Sequence, residues 1–302
     1  MGIKHLNRFL NHKCKKTTIQ RISLQRLAHK TIVIDTYIYL YTFLGEDQLY
    51  EKMNAMVTTL LHYKIVPIFV FDGKPPQEKR QLLRQRREKK QEAEVKYTEI
   101  IQQLEAGLDS TAELESQLSC LKKQFIKVDQ EHVQSVKAIL REHNVEYVDA
   151  PGESDELCVR YVKTGRAWAC LSNDMDMFVY GTERVLRDLT LSNHTVTLYN
   201  MAHILQDLKM DMTLFRQIMV LSGTDYNIDA NVSLHETMKW YYEYKKHLAA
   251  TKRWESRITA HGNPPPKSGA PQMDFYVWLL KYTKYIQDYP KLLHVYALFN
   301  ID

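Results

Sequence analysis

The chain has 302 residues, 44% apolar and 25% charged, with a net charge of +5 and a pI near 8.8. That composition excludes wholesale disorder, a collagen-like repeat and a small disulfide-stapled scaffold, and no run of about 18 uncharged apolar residues is present to cross a membrane. The four cysteines, Cys14, Cys120, Cys158 and Cys170, lie far apart and read as reduced intracellular thiols, with nothing to separate nucleus from cytoplasm.

In chain order, the β-branched run Thr31 to Ile34 predicts a strand, Glu51 to Tyr63 a helix, and Ile65 to Phe71 a second strand. Residues 79 to 90, KRQLLRQRREKK, then place seven bases against one acid. Such a run alone most often solvates one helix face. The helical pattern continues to Leu104, breaks at Gly107-Leu108-Asp109 and resumes behind a Ser110/Glu113 capping box toward Phe125. Asp129 caps a further helix carrying Val133, Val136, Ile139 and Leu140. Past this insertion of about residues 77–128 come strands at Glu146 to Val148 and Ala167 to Leu171, separated by a helix from Glu153 to Thr164. Strands alternating with helices predict an α/β fold, a mostly parallel twisted sheet flanked by helices, with the long helical insertion on one side. From Met210 the pattern turns helical and Tyr-rich. HGNPPPKSGAPQ, residues 261–272, reads as a flexible loop, and a helical tail runs from Met273 to Phe299. The natural division is a core of residues 1–230 and a helical C-terminal region of 231–302.

The residues that end the apolar runs carry the chemistry. TIVI ends in Asp35, IVPIFVF in Asp72, and AWACLSN in Asp174 with Asp176 two positions on. The strand from Glu146 leads into Glu153 and Asp155 at a helix start, and Asp225 follows the apolar run Phe215 to Leu221. A single Asp after a strand is ordinarily a turn former or N-cap. In a parallel sheet, however, the carboxyl ends share one edge, where ligands bind. Converging carboxylates repel one another there unless cations neutralise them. Hard oxygen ligands without paired His or Cys point to Mg²⁺, with Mn²⁺ able to substitute. Room for two ions is the arrangement for two-metal hydrolysis of a phosphodiester. Lys79 and Arg86, seven apart on one predicted helix face just after Asp72, are placed to hold the scissile phosphate against this acidic floor.

These same segments resemble the flap endonuclease family of structure-specific 5′ nucleases. MGIKHLNRFL resembles its N-terminal block, IVIDTYIYLYTFL its first acidic motif, and FVFDGKPPQEKR its signature. VEYVDAPGESDELC, LSNDMDMFVYG and LSGTDYNI resemble the later acidic motifs, in family order over about residues 1 to 230. The resemblance implies metal binding by Asp35, Asp72, Glu153, Asp155, Asp174, Asp176 and Asp225, with Asp155 standing where the family has glutamate. It implies catalytic roles for Lys79, Arg86 and Asp174, a stacking role for Tyr41, and DNA contacts from Gly2, Arg80, Arg84 and Arg87. The basic insertion would be the arch that passes a single-stranded 5′ end.

Two features depart from the family. NIDANVSLHETMKWYYEYKKH lacks the glycines of the hairpin that holds duplex phosphates around a monovalent cation; Asp229, Ala230 and Asn231 stand there. Ser233 and Glu236 still form a capping box, and Lys239, Lys245 and Lys246 are the candidates for a substitute duplex grip. The tail HVYALFNID carries no recognisable clamp-binding peptide. Such divergence is of the kind expected in a large DNA virus or another fast-evolving lineage. The expected activity is Mg²⁺-dependent cleavage of DNA at 5′ flaps, ends or junctions in replication, repair or recombination. A 5′→3′ exonuclease or junction resolvase of the same fold is the nearest alternative, and a catalytically weak junction-binding scaffold is the alternative of another class.

Overall fold

The computed structural model describes residues 3–106, 111–228, 232–260 and 273–301, with backbone only over 255–260. Its strands are β1 (Ile19–Ser23), β2 (Thr31–Asp35), β3 (Val66–Phe71), β4 (Glu146–Asp149), β5 (Ala169–Leu171), β6 (Arg184–Thr190) and β7 (Thr195–Asn200). The helices are α1 (Leu6–Lys13), α2 (Thr36–Leu44), α3 (Leu49–His62), α4 (Arg80–Glu105), α5 (Ala112–Gln124), α6 (Gln130–Glu142) and α7 (Ser154–Lys163). After β5 come α8 (Asp176–Val179), α9 (Met201–Leu208), α10 (Met212–Leu221), α11 (Leu234–Ala260), α12 (Phe275–Tyr282) and α13 (Tyr289–Leu298).

One seven-stranded sheet runs in the order β1-β7-β6-β5-β2-β3-β4. The five strands from β6 to β4 are parallel, and β7 and β1 extend the edge antiparallel. Alternation along each strand divides the apolar residues between two faces. Val33, Ile68, Val70, Cys170 and Val185 enter one core, closed by α1, α7 and α10 and by residues of α11 to α13. Ile32, Ile34, Phe69, Phe71 and Leu171 enter the other, closed by α2, α3 and α6. The fold is therefore the α/β sandwich that the sequence predicts. Residues as distant as Ile3 and Ile301 belong to one core, so the C-terminal helices pack onto the same sheet face as α7 and α10.

Three strands, β1, β6 and β7, escape sequence reading. RVLRDLT and TVTLYN are short and interleaved with polar residues, and a bulge between Arg187 and Thr190 interrupts their pairing. The C-terminal helical tail is two helices, because Asp288 caps a new start with Pro290 in its first turn. The cap of α5 is Thr111, whose hydroxyl accepts from the Leu114 amide at 3.3 Å, one position beyond the expected Ser110. Ser110, the Gly107–Asp109 break, Asp229 to Asn231 and the 261–272 loop lie outside the described residues. Asp129 caps α6 as expected, with His132 completing its capping box, and Ser233 and Glu236 exchange bonds at the start of α11.

α4 and α5 pack mainly on each other as a hairpin. Ala93 is the buried residue of the first and Leu121 of the second. Tyr97 meets Phe125 edge-on at 5.3 Å, and Lys90 donates to the Ile126 carbonyl at 2.8 Å. Lys79 is not on α4 itself but closes the short 3₁₀ turn Gln77–Lys79 before it. The shared-face argument therefore does not apply, and the two bases reach the acidic edge from different elements.

Gly73 locks this entrance to the main body. Its amide donates to the Gly152 carbonyl at 2.6 Å, and a Cβ there would stand 2.1 Å from the Ala150 carbonyl oxygen. The strand β3 exit and the loop before α7 are thus in backbone contact. Gly73→Ala will cost about 2–4 kcal/mol, because the obstacle is backbone rather than a yielding side chain. A melting temperature within about 1 °C of wild type, at most about a third of that cost for a chain of this length, would refute the argument.

Candidate active site

Strand order reverses between β5 and β2, the place where an open parallel sheet leaves a crevice at its carboxyl edge. Asp35 sits there, buried at the end of β2. Both its oxygens accept hydroxyls: Ser172 beyond β5 at 2.9 Å and Ser154 on α7 at 3.1 Å. Asp72, beyond β3, accepts the Ser154 amide at 2.7 Å and so caps α7 from another chain segment. The natural cap, Glu153, makes no cap bond. Its carboxylate instead receives Lys79 Nζ at 2.8 Å and the Tyr226 hydroxyl at 3.0 Å. Asp174 accepts the Asp176 amide at 2.9 Å, folding the α8 turn so that Asp176 points inward. Asp225, beyond α10, receives Arg86 at 2.7 Å.

All seven acids predicted from the sequence therefore lie along one edge and act on each other's charge. Burial first, then Asp72, pushes the Asp35 carboxyl up to about 7. Burial with Asp174 and Asp35 raises Asp155 well above the ordinary carboxylate range, and burial with Asp174 and Asp225 does the same to Asp176. Asp176 is 1% exposed, and its Oδ1 has no hydrogen-bond partner among the described residues. Lys79, 6% exposed, is penalised by burial, yet Asp155 and Glu153 outweigh that and hold its ammonium charged. It also lies 4.7 Å over the Tyr226 ring.

A buried carboxylate oxygen without a donor, inside a group of like charges, fits a hard divalent cation and little else. As the side chains stand, no three His, Cys, Asp or Glu among the described residues close around a single point. Glu153 and Asp225 are instead engaged in ion pairs with Lys79 and Arg86.

The remaining predicted residues are placed as follows. Tyr41, on α2, is 39% exposed rather than packed in a core, with Lys90 Nζ 5.0 Å over its ring. Arg80, Arg84 and Arg87 are exposed on α4, Arg84 in a 2.8 Å pair with Glu88. Lys239, Lys245 and Lys246 are exposed on α11. Gly2 lies outside the described residues. Sequence reading missed Ser154, Ser172, Tyr226 and Tyr180, the last joined to Tyr226 hydroxyl to hydroxyl at 3.0 Å. Each of the first three adjoins or closely precedes a motif acid, which is the only signal it carried. It also missed Arg187, which holds the Asn173 carbonyl at 2.9 Å and so props the loop that bears Asp174.

The raised carboxyls make stability depend on pH. Between about pH 4 and pH 7 the folded protein retains protons that the unfolded chain has released, so stability falls as pH rises through that window. In EDTA the melting temperature will drop from pH 5 to pH 7.5, and Mg²⁺ will restore it at the higher pH. A flat profile, or one that Mg²⁺ leaves unchanged, would contradict the crowding of charge described above.

The chain matches the model of the XPG N-terminal domain over residues 1–93 and that of the XPG I-region over residues 144–225. Flap endonuclease 1 of Methanocaldococcus jannaschii is 31% identical over 222 residues, 68% of this chain and 65% of that protein. Flap endonuclease 1 of Glycine max is 30% identical over 245 residues, 75% of this chain and 62% of that one. The chain thus spans less than two thirds of the length of these relatives. The catalytic core of Rad2 in complex with DNA substrate superimposes with a TM-score of 0.64 at 19% identity, covering 99% of this chain and 86% of that one. At that identity the likeness speaks for the fold.

Proposed function

The chain belongs to the flap endonuclease family, and from that premise we propose that it is a Mg²⁺-dependent nuclease hydrolysing DNA at single-stranded 5′ flaps, ends or junctions. The observation that carries this reading is the edge of seven carboxylates, among them the buried Asp176, whose Oδ1 has no hydrogen-bond partner among the described residues. Divalent cations held by Asp35, Asp72, Glu153, Asp155, Asp174, Asp176 and Asp225 would supply a water of lowered pKa and countercharge at the leaving oxygen.

The chain's own residues supply the rest. Ser154 and Ser172 fix both oxygens of Asp35, so that carboxylate cannot swing. Tyr226 does the same for Glu153, whose other oxygen meets Lys79. Lys79 and Arg86 stand at the border between acids and arch, where a phosphodiester anion entering the site exchanges their carboxylate partners for its own oxygens. Exposed Arg80, Arg84 and Arg87 extend the positive path along α4 for a single strand, and Tyr41 offers a ring face beside it. Residues 1–230 carry the chemistry in this reading, and α11, with Lys239, Lys245 and Lys246, grips duplex. Work in replication, repair or recombination follows from such substrates.

The test is incubation with Mg²⁺ and end-labelled 5′-flap, nicked, overhanging, junction and single-stranded DNAs, beside Asp174→Ala. Cleavage lost in the variant is expected, and the ranking of substrates chooses between flap endonuclease, exonuclease and resolvase. Binding without cleavage by wild type and variant alike would replace the enzyme with a junction-binding scaffold.

A further inference from the structure

The foregoing chemistry leaves the segment HVYALFNID without a role, yet it buries Phe299 completely. The Phe299 ring lies 4.7 Å from that of Tyr180 and meets that of Tyr226 edge-on at 5.3 Å. Those two tyrosines form a hydroxyl relay. Tyr226 donates to the Glu153 carboxylate at 3.0 Å, and since a phenol has one proton to give, Tyr180 is the donor in its own 3.0 Å bond to Tyr226. A phenol holds a carboxylate only as firmly as its own ring is held. The half-buried Tyr226 ring is met by the Lys79 ammonium and by Phe299. Lys79 is the partner that an entering phosphate would draw away, which leaves Phe299 as the fixed one.

The two residues that follow extend the same tie. Asn300 accepts from Arg216 of α10 at 3.0 Å, and that guanidinium also donates to the Val179 carbonyl, one residue before Tyr180, at 3.0 Å. The Ile301 carbonyl accepts from Lys163, the last residue of α7, whose first turn carries Asp155 behind the Glu153 cap. Three consecutive residues thus meet α7, α10 and the tyrosine that closes α8. These are the elements that carry or adjoin Glu153 and Asp155, Asp174 and Asp176, and Asp225. Each comes from a separate stretch of sequence, so nothing local sets how their acids stand to one another.

We propose that Phe299, with Asn300 and Ile301, is a positioning residue of the metal site: it holds the Tyr226 ring, and through it Glu153, in the orientation that binds a cation. The inference rests on the metal reading above and adds to it residues outside 1–230, the part of the chain to which that reading confines the chemistry. A ring that merely filled space would stabilise the fold and leave ion affinity alone. A ring that holds Tyr226 changes both, because loss of a group that orients a metal ligand typically weakens metal binding by about 10–100-fold.

The Mn²⁺ affinity of the full chain, without DNA, is read from the electron paramagnetic resonance signal of the free ion, well below the melting temperature of every variant. The variants are Phe299→Leu, Tyr226→Phe, the two combined, and Leu292→Ala, which opens a cavity elsewhere on α13. Phe299→Met, close to phenylalanine in volume, repeats the set if leucine leaves too little folded chain. Tyr226→Phe is expected to raise the dissociation constant about tenfold, and Phe299→Leu at least about fivefold. In the double variant the Phe299 effect should shrink below about twofold, since it acts through a hydroxyl already gone. Leu292→Ala should lower the melting temperature and keep wild-type affinity. A Phe299 variant that binds like wild type, an effect that persists in full beside Tyr226→Phe, or an equal loss in Leu292→Ala would overturn this inference alone. A wild-type chain that binds no Mn²⁺ would overturn the metal reading and this inference with it.

Discussion

Asp176→Asn will raise the melting temperature of the metal-free protein and abolish cleavage. Removal of an active-site residue that stabilises the fold is expected wherever a site concentrates buried charge for function. Asp176 is buried beside Asp174 and Asp225, with one oxygen lacking any donor among the described residues. Asparagine keeps the shape, removes one charge from the group and brings an amide that can donate to those neighbouring carboxylates. In EDTA at pH 7.5 the gain should be on the order of 1–3 kcal/mol, or about 2–5 °C for a chain of this size. The same exchange removes an oxygen that a divalent cation needs. The Mg²⁺-dependent rise in melting temperature should therefore shrink, and cleavage should fall by at least about 10³-fold. A variant less stable than wild type in EDTA would mean that Asp176 is already satisfied in the folded chain, and the metal argument would lose its main support.

The parallel core of this fold is legible because its strands are buried on both faces and read as near-continuous apolar runs rich in β-branched residues. Thr31 to Asp35 and Val66 to Phe71 are the clear cases. The acids at their ends are legible for a related reason: a polar residue after such a run must lie at the carboxyl edge. The antiparallel extension is not legible. In β6 and β7 polar residues such as Arg187 and Thr195 interleave with the apolar ones, and their contribution depends on neighbours distant in sequence. Position on the edge is thus readable, but the partner of each acid is not. Nothing local says that Asp72 caps α7, that Glu153 gives up its cap to meet Lys79, or that Tyr226 closes on it. Those pairings are set by the meeting of β3, the turn before α4 and α10, hence by tertiary packing. The same limit misplaced Lys79 on the arch helix, since propensity does not distinguish a closing 3₁₀ turn from a first α-turn.

Lys79→Ala will show two losses that Mg²⁺ separates. The ammonium is the buried partner of Glu153 and also offsets the charge of Asp155, so its removal leaves carboxylates uncompensated at an expected cost of about 3–5 kcal/mol in EDTA. Divalent cations neutralise those same carboxylates, so added Mg²⁺ should recover most of the lost melting temperature. It should not recover cleavage. Lys79 is proposed to engage the scissile phosphate itself, and loss of such a charge in a water-poor site typically lowers turnover by about 10²–10³-fold. Arg86→Ala should cost less stability, because Arg86 is half-exposed and its pair with Asp225 is better solvated. Measuring melting temperature and single-turnover cleavage across a Mg²⁺ titration decides the matter. If Mg²⁺ restores both in Lys79→Ala, the lysine serves only to quiet the acids in the free protein, and the scissile phosphate must be held by Arg86 and the arch alone.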